Sequence, residues 1–103
     1  MEWIYIIKNK NFPKWRKIGM TRKSDPYDRL EQYNSVTPFD YDYEFQALFQ
    51  TYDAVSLERE IIERIKDKGF QTSKREWFRT YRRGQDLHNL ILFIETRAER
   101  RIR

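Results

Sequence analysis

A chain of 103 residues fits one domain with a modest core; 39% is hydrophobic and 36% charged, so the aromatics, at 17%, must supply much of that core. The 21 Lys and Arg outnumber the 16 Asp and Glu, and the resulting +5 favours an anionic partner such as nucleic acid. The sequence has no cysteine, which excludes disulfides and thiolate metal sites, and no apolar run long enough for a bilayer; the expected setting is cytosolic, with no membrane partner.

No repeat, low-complexity stretch or Pro/Gly-rich linker divides residues 1–103, which read as a single unit. The first fifth predicts a hairpin. Trp3-Ile4-Tyr5-Ile6-Ile7 and Trp15-Arg16-Lys17-Ile18-Gly19-Met20-Thr21 are rich in β-branched and aromatic residues, and the polar stretch Asn9-Lys10-Asn11-Phe12-Pro13 joins them. Side chains alternate along a strand, so Trp3, Tyr5 and Ile7 share one face while Ile4 and Ile6 take the other. Lys17 and Gly19 share a face of the second strand. The hairpin is therefore expected to set the Tyr5 phenol near the Lys17 amine, with Gly19 leaving room for a ligand backbone.

Next, Ser24-Asp25-Pro26 predicts a helix start, with Asp25 as N-cap and Pro26 at the first helical position. Tyr27, Leu30 and Tyr33 recur at helical spacing, and Thr37-Pro38 closes the element. Arg29 and Tyr33 lie four apart, on one helix face. Standing alone, that pair reads as an exposed Arg stem over a packed Tyr. Phe39 to Gln50 predicts a third strand whose aromatics serve the core.

The second helix is expected from an Asp53 cap to Gly69. Leu57, Ile61, Ile62 and Ile65 define its buried arc, and at about 100° per residue Glu58 falls in the middle of it. Glu60, Glu63 and Asp67 fall on the solvated side. A carboxylate on a buried face is costly unless it is paired or holds a metal, so Glu58 invites an explanation. Either a divalent ion or a salt bridge to Arg29 or a nearby Lys would supply one.

Trp77 and Phe78 then read as part of a short strand packed over the second helix. Glu76 could cap a turn there or join a site. The last helix is expected over roughly Gln85 to Glu99, on the stripe Leu87, Leu90, Ile91 and Ile94. Its basic end, residues 97–103 with Arg97, Arg100, Arg101 and Arg103, could grip phosphates or be a frayed, solvated terminus. His88 is the only histidine, which excludes a His-based metal cluster and a Ser/His/Asp triad.

Four segments, taken in order, resemble the GIY-YIG nuclease superfamily, in particular a small phage-type branch whose second motif is KIG. They are Trp3-Ile4-Tyr5 with Lys17-Ile18-Gly19-Met20-Thr21, the Arg29/Tyr33 pair, Leu57-Glu58, and Arg75-Glu76-Trp77-Phe78. The resemblance implies an α+β fold, a three-stranded antiparallel sheet flanked by helices. It also implies a DNA endonuclease that hydrolyses phosphodiester bonds by in-line attack of one water with one Mg²⁺ or Mn²⁺.

On that resemblance Glu58 is the metal ligand, and Arg29 binds the scissile phosphate with paired donors. Tyr33 orients the site or the water, and Lys17 and Arg75 add nucleic-acid contacts. Tyr5 is the candidate base, provided that a cation such as Lys17 lowers its phenol from the ordinary value near 10. Two positions depart from the family pattern. Trp3 stands where the family has its first Gly, and Lys17 replaces the second-motif Tyr. A nucleic-acid-binding module that cleaves weakly or not at all, on the same scaffold, is the alternative, and a domain with a protein partner is the third reading.

Overall fold

Strands β1 (Glu2–Asn9) and β2 (Trp15–Thr21) form the expected antiparallel hairpin, with Tyr5 opposite Gly19 and Ile7 opposite Lys17. The computed structural model describes residues 1–35, 42–74, 76–80 and 82–103. The remaining elements are α1 (Pro26–Asn34), β3 (Tyr43–Thr51), α2 (Ala54–Asp67), β4 (Thr72–Ser73), β5 (Trp77–Arg79), α3 (Gly84–Arg97) and β6 (Arg100–Arg101). The class is α+β, with three helices and an open antiparallel sheet among the described residues.

The sheet corrects the expectation of three strands. Among the described residues it has six, in the order β4-β5-β2-β1-β3-β6. The three additions are two or three residues long: β5, where Trp77 and Phe78 read as part of a strand, pairs with β2, β4 pairs with the nearby β5, and β6 pairs with β3. The two-residue strands β4 and β6 carry no readable period. The basic end is corrected with them. α3 stops at Arg97, Ala98 is extended, and Arg100–Arg101 lie along the edge of β3 instead of continuing a helix. The Ile102 amide donates to the Leu48 carbonyl (2.8 Å), which ties that end down.

The central strand β1 buries Ile4, Tyr5, Ile6 and Ile7 in succession because both sheet faces are covered. Below lies an apolar core of Ile4, Ile6, Ile18 and Phe49 against Leu57, Ile61 and Ile65 of α2 and Leu90 and Ile94 of α3. Above, a smaller cluster of Tyr5, Ile7, Phe45 and Leu48 packs under Leu30 and Tyr33 of α1. Strict alternation would give Phe45 and Phe49 one face. A register shift in β3 opposite Ile6/Ile7 switches the parity, sending Phe45 upward and Phe49 downward.

Helix ends follow their sequence signals. Asp25 accepts a hydrogen bond from the Tyr27 amide and Asp53 from that of Ser56. Gly69, with φ +76°, follows the Lys68 cap, and the Phe70 amide reaches back to the Ile65 carbonyl. The last helical residue of α1 is Asn34, whose side chain bonds both backbone groups of Tyr43 and so docks α1 on β3. The expected Thr37-Pro38 stop, and the start of the third strand at Phe39, lie outside the described residues.

Candidate active site

The upper face of the hairpin, α1, α2 and the residue before β5 converge on an open pocket of ≈ 210 Å³. Its walls are Tyr5, Lys17, Gly19, Met20, Arg29, Tyr33, Glu58 and Glu76. Five residues singled out from the sequence (Tyr5, Lys17, Arg29, Tyr33, Glu58) therefore meet in one place. Arg75 lies outside the described residues.

Each arrives for a local reason. β5 pairs with β2 only over Trp15–Lys17, and the Ile18 amide closes the ladder on the Glu76 carbonyl (2.9 Å). Past that bond the outer edge of β2 runs beyond the end of β5. Here Gly19 and Met20 border the pocket together with Glu58. The helix that carries Glu58 is fixed at its start by Glu2, which accepts from the Ala54 amide (2.8 Å) and pairs with Arg22 (2.7 Å). Those donors, the Ala54 amide foremost, hold the Glu2 carboxyl below its ordinary value. Leu57, Ile61, Ile62 and Ile65 are buried and Glu60, Glu63 and Asp67 exposed, as the helical arc requires, while Glu58, expected in the middle of that arc, is only half-buried.

The aromatic centre of the pocket is a pair of phenols. Tyr5 Oη and Tyr33 Oη are 3.0 Å apart, with the rings edge to face at 77°. The Arg29 guanidinium stacks 4.9 Å from the centre of the Tyr33 ring, and its Nη1 donates to Gln32 Oε1 (3.0 Å). The four-residue spacing thus does set Arg29 against Tyr33.

Two expectations about the hairpin are corrected. Lys17 does not serve the Tyr5 phenol. Its side chain is only 13% exposed, and its Nζ is held 2.6 Å from Glu76 Oε2. Burial pushes the Tyr5 phenol above its ordinary value of 10, the Tyr33 bond adds to that, and the guanidinium of Arg29 opposes it. The cation beside the phenol is thus Arg29, and it does not outweigh desolvation.

Gly19, secondly, leaves no room for a ligand backbone. A Cβ there would lie 2.5 Å from Tyr5 Cζ and 2.6 Å from its Oη, so the ring itself occupies the space the glycine leaves. Only a residue without Cβ allows the phenol to lie flat across β2.

Sequence reasoning left Glu76 undecided, and the structure puts its carboxylate on the pocket wall, against Lys17. The only signal was its place beside Trp77, and 59 residues separate it from Lys17. Met20 and Gln32 were not anticipated. Among the described residues no group of three or more His, Cys, Asp or Glu could hold a metal ion. A hard divalent cation that keeps most of its water needs fewer, and the oxygen donors Glu58 and Glu76 fit Mg²⁺ or Mn²⁺ better than a soft metal.

The T5orf172 domain model matches residues 2–95, a span that contains every residue of the pocket. The chain belongs to the T5orf172 domain family. T5orf172 domains are nuclease-associated, which gives the chain a nuclease-like or DNA-binding role in general terms. No curated protein and no solved structure matches it. No helix among the described residues is long and apolar enough to cross a membrane.

Proposed function

We propose that this T5orf172 domain is a GIY-YIG-type DNA endonuclease that hydrolyses a phosphodiester bond with one Mg²⁺ or Mn²⁺. The observation that carries the reading is the convergence of Tyr5, Lys17, Arg29, Tyr33, Glu58 and Glu76 on a single pocket. Acids, cations and phenols at that density are what in-line phosphoryl chemistry needs, since its barrier is lowered by positioning and by charge.

Glu58 holds the divalent ion, which when bound supplies positive charge at the leaving oxygen. Arg29 offers paired donors to the non-bridging oxygens of the phosphate. Its stacking on Tyr33 fixes the plane of those donors. Tyr5 keeps its proton at neutral pH, because burial raises the phenol, and so holds a water or a phosphate oxygen by hydrogen bond. The water proton then goes to a carboxylate. With Glu58 engaged, Glu76 is the pocket acid for that role, kept in place by Lys17. The new O–P bond forms as the opposite P–O bond breaks, and the leaving oxygen takes a proton from solvent.

The test is nicking of supercoiled plasmid in Mg²⁺, Mn²⁺ and EDTA by wild type, Glu58→Ala, Tyr5→Phe and Glu76→Gln. Metal-dependent nicking that Glu58→Ala abolishes while the circular dichroism stays native supports the assignment. Nicking that survives EDTA or Glu58→Ala overturns it. One observation favours a second reading, a DNA-binding module without cleavage: Glu76, the acid left to take the water proton, is held in an ion pair with Lys17 (2.6 Å), which weakens it as a proton acceptor. Salt-sensitive DNA binding with no cleavage in either metal would mark that outcome.

A further inference from the structure

A second cavity opens on the same sheet face, beside the pocket. It measures ≈ 290 Å³, near the lower end for ligand sites, and its lining is Phe12, Trp15, Ser73, Lys74 and Trp77. Trp77 is the direct cross-strand partner of Lys17, and Trp15 precedes Lys17 by two residues on β2. Cross-strand partners share a face, as do alternate residues of one strand. Both indoles therefore stand on the face that carries Tyr5 and Lys17. Two residues of strand span about 7 Å, so the cleft begins within roughly that distance of Lys17.

Aromatic side chains usually go inside a small protein that is short of core, yet here three line an open cleft, and Phe12 is 51% exposed. Polar contributions to the lining come from Ser73 and the exposed Lys74. Aromatic faces with a cation at the rim suit a flat, uncharged ring carried on an anionic backbone. An apolar peptide would gain nothing from Lys74 or from the net charge of +5.

We infer that this cleft stacks one unpaired nucleobase of the substrate strand, next to the phosphate held in the pocket; the inference rests on DNA being the ligand of that pocket. A base inside a duplex has both faces covered by its neighbours and cannot enter. The preferred substrate is therefore a strand with an unpaired nucleotide beside the cut, as in a flap, a bulge or a single-stranded arm. Stacking reads no base identity, since every base offers a π-face, so the preference is for strandedness and not for sequence.

The experiment is binding in EDTA, where the DNA stays intact, followed by anisotropy and by 2-aminopurine fluorescence. The probes are a hairpin with a three-nucleotide unpaired arm, the same arm with an abasic site at the junction, and the fully paired duplex. Expected are roughly 10- to 100-fold tighter binding of the armed hairpin than of the other two, and quenching of 2-aminopurine at the junction. Trp77→Ala should remove both effects. Phe12→Ala, a change at a half-exposed turn residue that leaves the sheet intact, should weaken them.

Equal affinity for abasic and intact arms, or unchanged quenching in both variants, overturns the inference. So does displacement of the cleft by an apolar peptide with no effect of DNA, which would point to a protein partner. The two proposals separate cleanly. Metal-dependent nicking without arm preference removes only the stacking cleft, whereas quenching and arm preference without nicking remove only the nuclease.

Discussion

Below the sheet, α2 and α3 bury aliphatic residues, Ile4, Ile6, Ile61, Ile65 and Ile94 among them, together with Phe49 and Phe78. Above it, under α1, the buried cluster is small, and much of it is amphipathic: Tyr5 at the centre, with Trp3, Tyr33 and Tyr43 packed around. Aliphatic side chains can only be hidden. A tyrosine hides its ring and still delivers a hydroxyl, so the upper face holds α1 down and presents reactive groups with the same residues. The lower face carries the larger share of buried apolar surface and hence of the stability. Glu58 joins the two: its helix is seated by the lower core, while its carboxylate borders the upper pocket.

The largest expected effect breaks function and leaves the fold. Glu58→Gln should cut metal-dependent nicking by about 10²–10³-fold or more, at the scale of losing one transition-state charge contact, with an unchanged thermal midpoint. Nicking within tenfold of wild type would break the division between the faces. The converse is Ile94→Ala, far from the pocket on α3. It should cost about 2–5 kcal/mol in urea unfolding, while the rate per folded molecule is retained.

Gly19→Ala is expected to strike both properties. The new methyl must displace the Tyr5 ring, at about 1–3 kcal/mol, and activity should fall with it. A fully active and stable Gly19→Ala would show that the ring has another place to lie. Tyr5→Phe keeps the ring and removes the hydroxyl, so stability at neutral pH should change by about 1 kcal/mol and nicking by more.

The same variant has a pH signature. The folded state holds the Tyr5 proton more tightly than the unfolded chain does. The stabilisation is therefore fully present below the ordinary value of 10 and is lost as pH rises through the raised one. In wild type stability should fall above pH 10, and Tyr5→Phe should flatten that limb. Smallest is Glu2→Gln. The Glu2 carboxyl is lowered from 4.5, so what it adds is present above that pH and is lost as pH falls through the lower folded value. Melting between pH 6 and 3 should show a shallower acid slope in the variant.

Residues close in sequence announced what they build. β-Branched and aromatic runs gave β1 and β2; Asp25-Pro26 and Asp53 marked helix starts, and the 3.6-residue period of α2 put Glu58 within its buried arc, although its side chain is only half-buried. Each is a local signal, fixed by backbone sterics and by the pitch of a helix or strand. Only the tertiary structure decided the rest. Lys17 could have faced the phenol or an acid, and a hairpin loop 59 residues away settled it. Gly19 offered an empty space that a ligand or a ring could fill, and the packing under α1 gave it to Tyr5. The two-residue strands β4 and β6, and the parity switch in β3, exist only once their partners are in place, because their hydrogen bonds and buried area come from the neighbour and not from the fragment itself.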